Sequence, residues 1–406
     1  MTKKAAAQAL AVGCVSVITA VILAETYLTF RSQTRPSLPF YNRLYPYVMF
    51  RPHENTTSIS AETLAMSHHK RNMEHYTNED GFRVSAPGYI LPREKPAGQL
   101  RIAFLGGSAV QLGSTFETTL PGSFKTLLQA KHPGRDIEVI NAGIVSCVSR
   151  QSIAHLVFTL VDYQPDIVIL HDGVNDLGLP LSYESRANFP YNFTTMEEAW
   201  EAYRSSQQAS LLRLMLDRSH LAAALRSRFG AQQQARNTVG AALGTGLAPH
   251  ALPAREIAGN TAFLESHVAG YLSNWQKLVD FSRAYRYKPV CVLQPTAALD
   301  REFALKITME QFGLERETAE EWYEALSQLY GEASRQIGLL RDRNPGVIIL
   351  DMKGDLLPAK DYFWDLVHVY DEINIRLAER VYESIKPLID ESLADSLPAD
   401  KPPDGP

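Results

Sequence analysis

The ten residues Arg101 to Val110, RIAFLGGSAV, constrain the fold of this chain more than any other stretch. Arg101 to Leu105 is a short, bounded apolar run, the pattern of a parallel strand buried on both faces. Gly106-Gly107 then ends the run abruptly and allows a tight turn with close backbone approach. Ser108 is thereby delivered to the carboxyl edge of a sheet, where ligands of open α/β sheets bind. Read alone, the serine is also accounted for as the cap of a following helix.

Strand, turn and helix then alternate down the chain. Leu120 to Lys131 suits an amphipathic helix starting near Pro121 and closed by His132-Pro133-Gly134. Ile137 to Ile140 reads as a second strand, ending in Asn141-Ala142-Gly143. Ser149 to Asp162 reads as a helix capped by Ser149, with Ile153, Leu156, Val157 and Leu160 on one face. Asp166 to Leu170 is a third strand, ending in His171-Asp172-Gly173-Val174-Asn175-Asp176. After an interruption come a helix over Thr261 to Arg286, a strand over Pro289 to Leu293 and a helix over Thr318 to Arg341. Val347 to Leu350 is a fifth strand, and Asp371 to Leu388 the closing helix. Five such units with right-handed crossovers predict a three-layer α/β/α sandwich around a five-stranded parallel sheet, of the flavodoxin-like kind.

The amino terminus carries a second strong pattern. Behind Lys3-Lys4, Ala5 to Ala24 holds no charged side chain, and about 20 apolar residues span a bilayer as a helix. A single transmembrane helix is the expectation, against a cleaved secretory signal, a lipoprotein box at Cys14 or a core helix. The two lysines favour a cytoplasmic amino terminus and place the remainder outside the cytoplasm, although Arg31 and Arg35 weigh the other way. The expected organisation is a membrane anchor over 1–30, a stalk or wrapping segment over 31–77 and a catalytic domain over 78–390. Within that domain lies an insertion over about 179–260, aromatic at first and then, over 229–260, rich in Ala, Gly and Gln and expected to be mobile or partly disordered; residues 391–406 are expected to be a disordered, acidic, proline-rich tail. The insertion's aromatic cluster suits stacking on sugar rings or gripping an acyl chain, and equally the packing of a small core of its own.

Composition narrows the chemistry. A formal net charge of -5 argues against a nucleic-acid partner, and 45% hydrophobic residues are those of an ordinary globular protein. Three cysteines without CxxC or zinc-type spacing imply neither a disulfide framework nor a zinc site. His68, His69 and His75 lack partners at matching spacing and read as surface residues. No metal and no other cofactor is called for.

Between the fifth strand and the last helix, Asp365 and His368 stand three residues apart. A serine nucleophile needs a base, and the base needs a carboxylate to hold its tautomer and stabilise the imidazolium. Asp365 and His368 supply both within one turn of chain, on the edge that carries Ser108. Acyl transfer also needs donors aimed at the developing oxyanion. The Ser108 amide, the Gly143 amide and the Asn175 side chain lie at the ends of the first three strands and are the candidates. Taken singly, Gly143 reads as a plain turn glycine and Asn175 as a turn or cap residue.

The ordered set Gly106-Gly107-Ser108, Asn141-Ala142-Gly143, Gly173-Val174-Asn175-Asp176 and Asp365-Leu366-Val367-His368 resembles the four sequence blocks of the SGNH, or GDSL, hydrolases. The likeness covers roughly residues 78–387, and Gly81-Phe82-Arg83 ahead of the first block is similar to membrane-tethered bacterial members. The resemblance implies Ser108 as nucleophile, His368 as general base, Asp365 as its orienting acid, and Ser108 N–H, Gly143 N–H and Asn175 as the oxyanion hole. Two positions depart from the pattern. Gly107 stands where the family has Asp, and His368 is followed by Val369-Tyr370 where a glycine is usual. The expectation is a membrane-tethered, extracytoplasmic serine esterase or acyltransferase acting on an O-acylated small molecule or glycan. Its rivals are an O-acetyltransferase for a cell-envelope polysaccharide and a non-catalytic envelope assembly or binding protein on the same fold. The oligomeric state is left open.

Overall fold

The strand formed by Leu100–Gly106 is buried along its whole length, as its unbroken apolar run requires. The computed structural model describes residues 42–45, 47–52, 76–190 and 250–395, together with Val21, Phe193, Glu197 and Trp200. In chain order the described strands are β1 (Asn42–Tyr45), β2 (Met49–Pro52), β3 (Tyr76–Thr77), β4 (Arg83–Val84), β5 (Leu100–Gly106), β6 (Ile137–Gly143), β7 (Ile167–Asp172), β8 (Lys288–Leu293) and β9 (Ile348–Asp351). The helices are α1 (Ser108–Gln111), α2 (Leu120–Lys131), α3 (Ser149–Phe158), α4 (Val174–Ser182), α5 (Ala254–Ile257), α6 (Thr261–Tyr285), α7 (Arg301–Phe312), α8 (Arg316–Arg343) and α9 (Asn374–Asp395).

The main sheet runs β3-β4-β6-β5-β7-β8-β9. Its five parallel strands are those expected, in the order second, first, third, fourth, fifth. β6 and β7 lie on opposite sides of β5, so the direction of the connections reverses there and a crevice opens at its carboxyl end. The sheet nevertheless has seven strands, not the five expected. Two short strands, β3 and β4, join the β6 edge in antiparallel fashion. With two residues each they are too short to show an alternation in sequence, and they cover an edge that would otherwise offer unpaired backbone.

Alternate residues of the parallel strands face opposite cores, as the two-residue period dictates. Ile102, Phe104, Ile167 and Ile169 pack with α2 and α9, while Ala103, Leu105, Val168 and Leu170 pack with α3, α6 and α8. Arg101 is fully buried at the start of β5, where its guanidinium donates to the Pro92 and Tyr163 carbonyls at 3.0 and 2.6 Å.

Several local expectations change. Ser149 is the first helical residue of α3 rather than its cap, the helix stops at Phe158, and a short 3-10 turn follows over Leu160–Tyr163. The closing helix α9 begins at Asn374 and runs on to Asp395, so residues 391–395 are helical rather than part of a disordered tail, because Ile389 and Leu393 still find the core. Helix α4 went unforeseen because Gly178 and Pro180 interrupt its pattern. Helix α7 was missed as well; Asp300 caps it, accepting from the Phe303 amide at 3.2 Å.

The expected membrane span over Ala5 to Ala24 lies outside the described residues but for Val21. So do His68, His69 and His75, most of the insertion, and residues 396–406. Among the described residues no helix is long and apolar enough to cross a membrane. Of the segment expected to wrap the domain, the β1–β2 hairpin is described. Tyr47 stacks on Phe158 with ring centroids 4.3 Å apart, and Gln151 Nε2 donates to the Val48 carbonyl at 2.8 Å.

Candidate active site

Gly106 has to be glycine for a local reason: a Cβ there would sit 2.1 Å from the His171 carbonyl oxygen of the neighbouring strand. The chain therefore turns sharply off β5, and Ser108 becomes the first residue of α1, buried to 8% exposure. The far end of α1 is held by Arg83. Its buried guanidinium donates to the carbonyls of Gln111 at 2.6 Å and Gly113 at 2.8 Å. In the sequence Arg83 stands out only as part of Gly81-Phe82-Arg83. A cation between two apolar neighbours, Phe82 and Val84, was the available hint.

Ser108 Oγ lies 2.7 Å from His368 Nε2, although the two residues are 260 positions apart in the chain. On the other side of the ring, His368 Nδ1 lies 2.6 Å from Asp365 Oδ2. With Nδ1–H donating to the carboxylate, the tautomer the network favours, Nε2 is free to accept the serine proton. Asp365 Oδ1 accepts from the amides of Val367 and His368 at 2.7 and 2.6 Å, so both oxygens are fixed. Burial alone would raise the Asp365 carboxyl. Attraction to the His368 ring when it is protonated, together with these hydrogen bonds, outweighs it and holds the group below the usual carboxylate range. Trp364 completes the arrangement. Its indole stacks on the His368 ring, and its amide donates to the His368 carbonyl at 3.1 Å. A Trp four residues before a His has no recognisable local pattern, and it was not singled out in the sequence.

The structure brings the expected oxyanion donors to the same rim in different states. Asn175 Nδ2 donates to the Cys147 carbonyl at 2.7 Å, which orients the amide and leaves its second hydrogen for a ligand. A Cβ on Gly107 would lie 2.7 Å from that nitrogen, so Asn175 is seated directly over the Gly107-Ser108 turn. Gly143 abuts α1, and its amide donates to Asn141 Oδ1 at 3.2 Å. Asn141 is held in turn by Nδ2 donating to the Val110 carbonyl at 3.0 Å. The Ser108 amide stands at the start of a helix, where the first amides have no intrahelical acceptor.

The segment after His368 is tied to the loop following α1. Asp371 Oδ2 accepts from the Ser114 amide at 3.0 Å, and Asn374 Nδ2 donates to the Thr118 carbonyl at 2.8 Å. The His368 and Ser108 segments are thus braced to one another without a glycine after the histidine.

Two buried carboxyls support the turn that carries Asn175. Asp172 Oδ1 accepts from Tyr271 Oη at 2.7 Å and Trp275 Nε1 at 3.0 Å. Asp176 accepts from the Ser149 hydroxyl at 2.6 Å and the Ser149 amide at 2.9 Å. The carboxylate of Asp176 therefore joins the first turn of α4 to the amino-terminal end of α3, where the helix dipole favours a negative charge. Burial raises both carboxyls, and the proximity of Asp176 raises Asp172 further. Among the described residues no group of three or more His, Cys, Asp or Glu side chains is gathered as a metal ion would need.

No protein-family model matches the chain, and no curated protein does. Among solved structures it is similar to Axe2, an acetylxylan esterase from Geobacillus stearothermophilus, at 13% identity over 70% of this chain and 94% of that one, with a TM-score of 0.34. It is also similar to LAE5, an alpha/beta hydrolase from the metagenome of Lake Arreo, Spain, at 14% identity over 71% and 96% of the two chains, with a TM-score of 0.35. A third, the acetyl xylan esterase AlAXEase, is 15% identical over 70% and 100%, with a TM-score of 0.33. At such low identity and TM-scores, these likenesses add nothing to what the residue geometry says.

Proposed function

We propose that this chain is a serine esterase of the SGNH type that cleaves or transfers an O-acyl ester through an acyl-enzyme. The observation that carries the reading is the continuous chain of hydrogen bonds from Ser108 through His368 to Asp365, at 2.7 and 2.6 Å, at the carboxyl end of β5.

In this reading Ser108 Oγ attacks the ester carbonyl while its proton passes to His368 Nε2, and Asp365 stabilises the imidazolium that results. The carbonyl oxygen becomes an oxyanion, met by the Ser108 amide, the free hydrogen of the Asn175 amide, and the Gly143 amide once it releases Asn141. His368 returns the proton to the departing alkoxide as the C–O bond breaks. Water, or an acceptor hydroxyl, repeats the sequence in reverse and frees Ser108. The same reading assigns catalysis to the domain over 78–390, with the apolar segment near the amino terminus as a tether and the domain outside the cytoplasm. Lys3 and Lys4 support that orientation.

The test is turnover of chromogenic short-chain acyl esters by wild type and Ser108→Ala, with labelling by a serine-directed fluorophosphonate. Wild-type turnover that falls on the order of 10⁵-fold or more on substitution is expected. Acyl transfer to an added sugar at the expense of hydrolysis identifies the acetyltransferase alternative. Absence of both turnover and labelling identifies a binding protein. Protease accessibility of the domain on intact cells tests the topology.

A further inference from the structure

A cavity of about 230 Å³ opens between α4 and the loop that carries Asp365 and His368. Asn175 stands at one side of it, and Asp365 and Val367 at the other. Val367 also lines the smaller recess that holds Ser108 and His368, and Asn175 is seated over the Gly107-Ser108 turn, so the cavity lies beside the reacting groups. The remaining wall is mainly aliphatic and aromatic, with Trp322 and Leu326 of α8 at its back. Among the described lining residues Asp365 is the only charged one, and it is already engaged by His368. Among the described residues such a wall offers no cationic group to a phosphate or a carboxylate, and its polar side chains besides Asp365 are Asn175, Ser182 and Gln311.

Resting on the esterase reading above, we infer that this cavity receives the acyl chain of the substrate, and that the chain is a linear group of about four to eight carbons rather than an acetyl. Size is the first reason. The space is many times the roughly 10–15 Å³ that a single water-sized group needs in the same measure, and the single methyl of an acetyl ester would leave most of it empty.

Gly178 is the second reason. It lies inside α4, where glycine is less favourable than alanine, and its backbone is not in the left-handed region that would call for glycine. A Cβ there would meet only Leu326 Cδ2, at 4.0 Å. An alanine Cβ therefore fits without a close contact, and a side chain there would extend toward the cavity that Gly178 lines. The missing side chain keeps the space open.

The experiment measures kcat/KM for p-nitrophenyl acetate, butyrate, hexanoate, octanoate and laurate with wild type, Gly178→Leu and Gly178→Ala. In wild type each added methylene up to about eight carbons should raise kcat/KM by up to about fourfold, with a fall by laurate. Gly178→Leu should lower the ratio of the octanoate value to the acetate value at least tenfold. Gly178→Ala, a substitution that favours the helix, should move the ratio the same way by less. Ser108-dependent turnover that is highest on acetate, or a ratio unmoved in both variants, overturns the inference and leaves the esterase standing. Absence of any Ser108-dependent turnover overturns the esterase and the inference together.

Discussion

The indole of Trp364 lies parallel to the imidazole of His368, with ring centroids 4.9 Å apart and planes within 12°. Trp364 is almost wholly buried, so the stack limits how far the histidine ring can turn away from Ser108. Replacement by leucine keeps an apolar filling but removes the flat support. We expect kcat of Trp364→Leu on a short acyl ester to fall about ten- to a hundredfold with KM little changed, the size of effect a small misplacement of a reacting group produces. Steady-state kinetics check this; an unchanged kcat removes the ring from the account.

Asp365→Asn should be more severe. The amide cannot hold Nδ1–H and stabilise the imidazolium as the carboxylate does, and a loss on the order of 10⁴-fold in kcat is expected. The substitution also has a consequence for stability. Because the folded carboxyl is held below its ordinary value, the native state binds fewer protons there than the unfolded chain. The stabilisation is present above about pH 4 and is lost as pH falls through the lower folded value. Thermal unfolding of wild type should therefore show an acid-side decline that Asp365→Asn lacks in part.

For Asp172 the sign is opposite. Its carboxyl is raised by burial and by Asp176, so the folded protein binds more protons than the unfolded chain and loses stability as pH rises from about 4 upward. Asp172→Asn retains an oxygen for Tyr271 and Trp275 but no longer titrates. The Tm difference between this variant and wild type should shift in the variant's favour as pH rises. A difference that is flat from pH 5 to 9 would count against a buried, raised carboxyl.

The glycine at 107 has a local reason in this chain. A Cβ would come within 2.7 Å of Asn175 Nδ2 and 3.6 Å of the Cys147 carbonyl that holds it. Gly107→Ala should displace the Asn175 amide and lower kcat by about 10²-fold, near the loss of one oxyanion donor. Tm should stay close to wild type, since the neighbour that yields is a side chain at the rim. Asn175→Ala in the Gly107→Ala background should add little if the two act through the same amide, which a double-mutant cycle would show.

Much of this architecture was legible in the residues alone. Strands buried on both faces read as short apolar runs, and their glycine-bearing ends are local signals, so β5 to β9 and the turns holding Ser108, Gly143 and Asn175 could be located one by one. The Asp365 and His368 pair was legible for the same reason, both residues lying within a single short loop. The two-residue strands β3 and β4 were missed because their pattern is too short, and α4 because Gly178 and Pro180 interrupt it; α7 is long and unbroken, but its apolar residues do not gather on one face.

What the order of residues determined, then, was the set of parallel strands and which side chains stand at their carboxyl ends, because each depends on neighbours a few positions away. Only the tertiary structure decided which of those side chains touch. The approach of Ser108 to His368, the seating of Asn175 over Gly107, the support of Trp364 and the tie between Asp176 and Ser149 all depend on the packing of separate segments. The Gly143 amide makes the point most sharply. Its place at a strand end was readable, but its present acceptor, Asn141 Oδ1, is set by how the turn packs on α1. Distances between segments follow from burial and strand order across the whole sheet, and no local pattern encodes them.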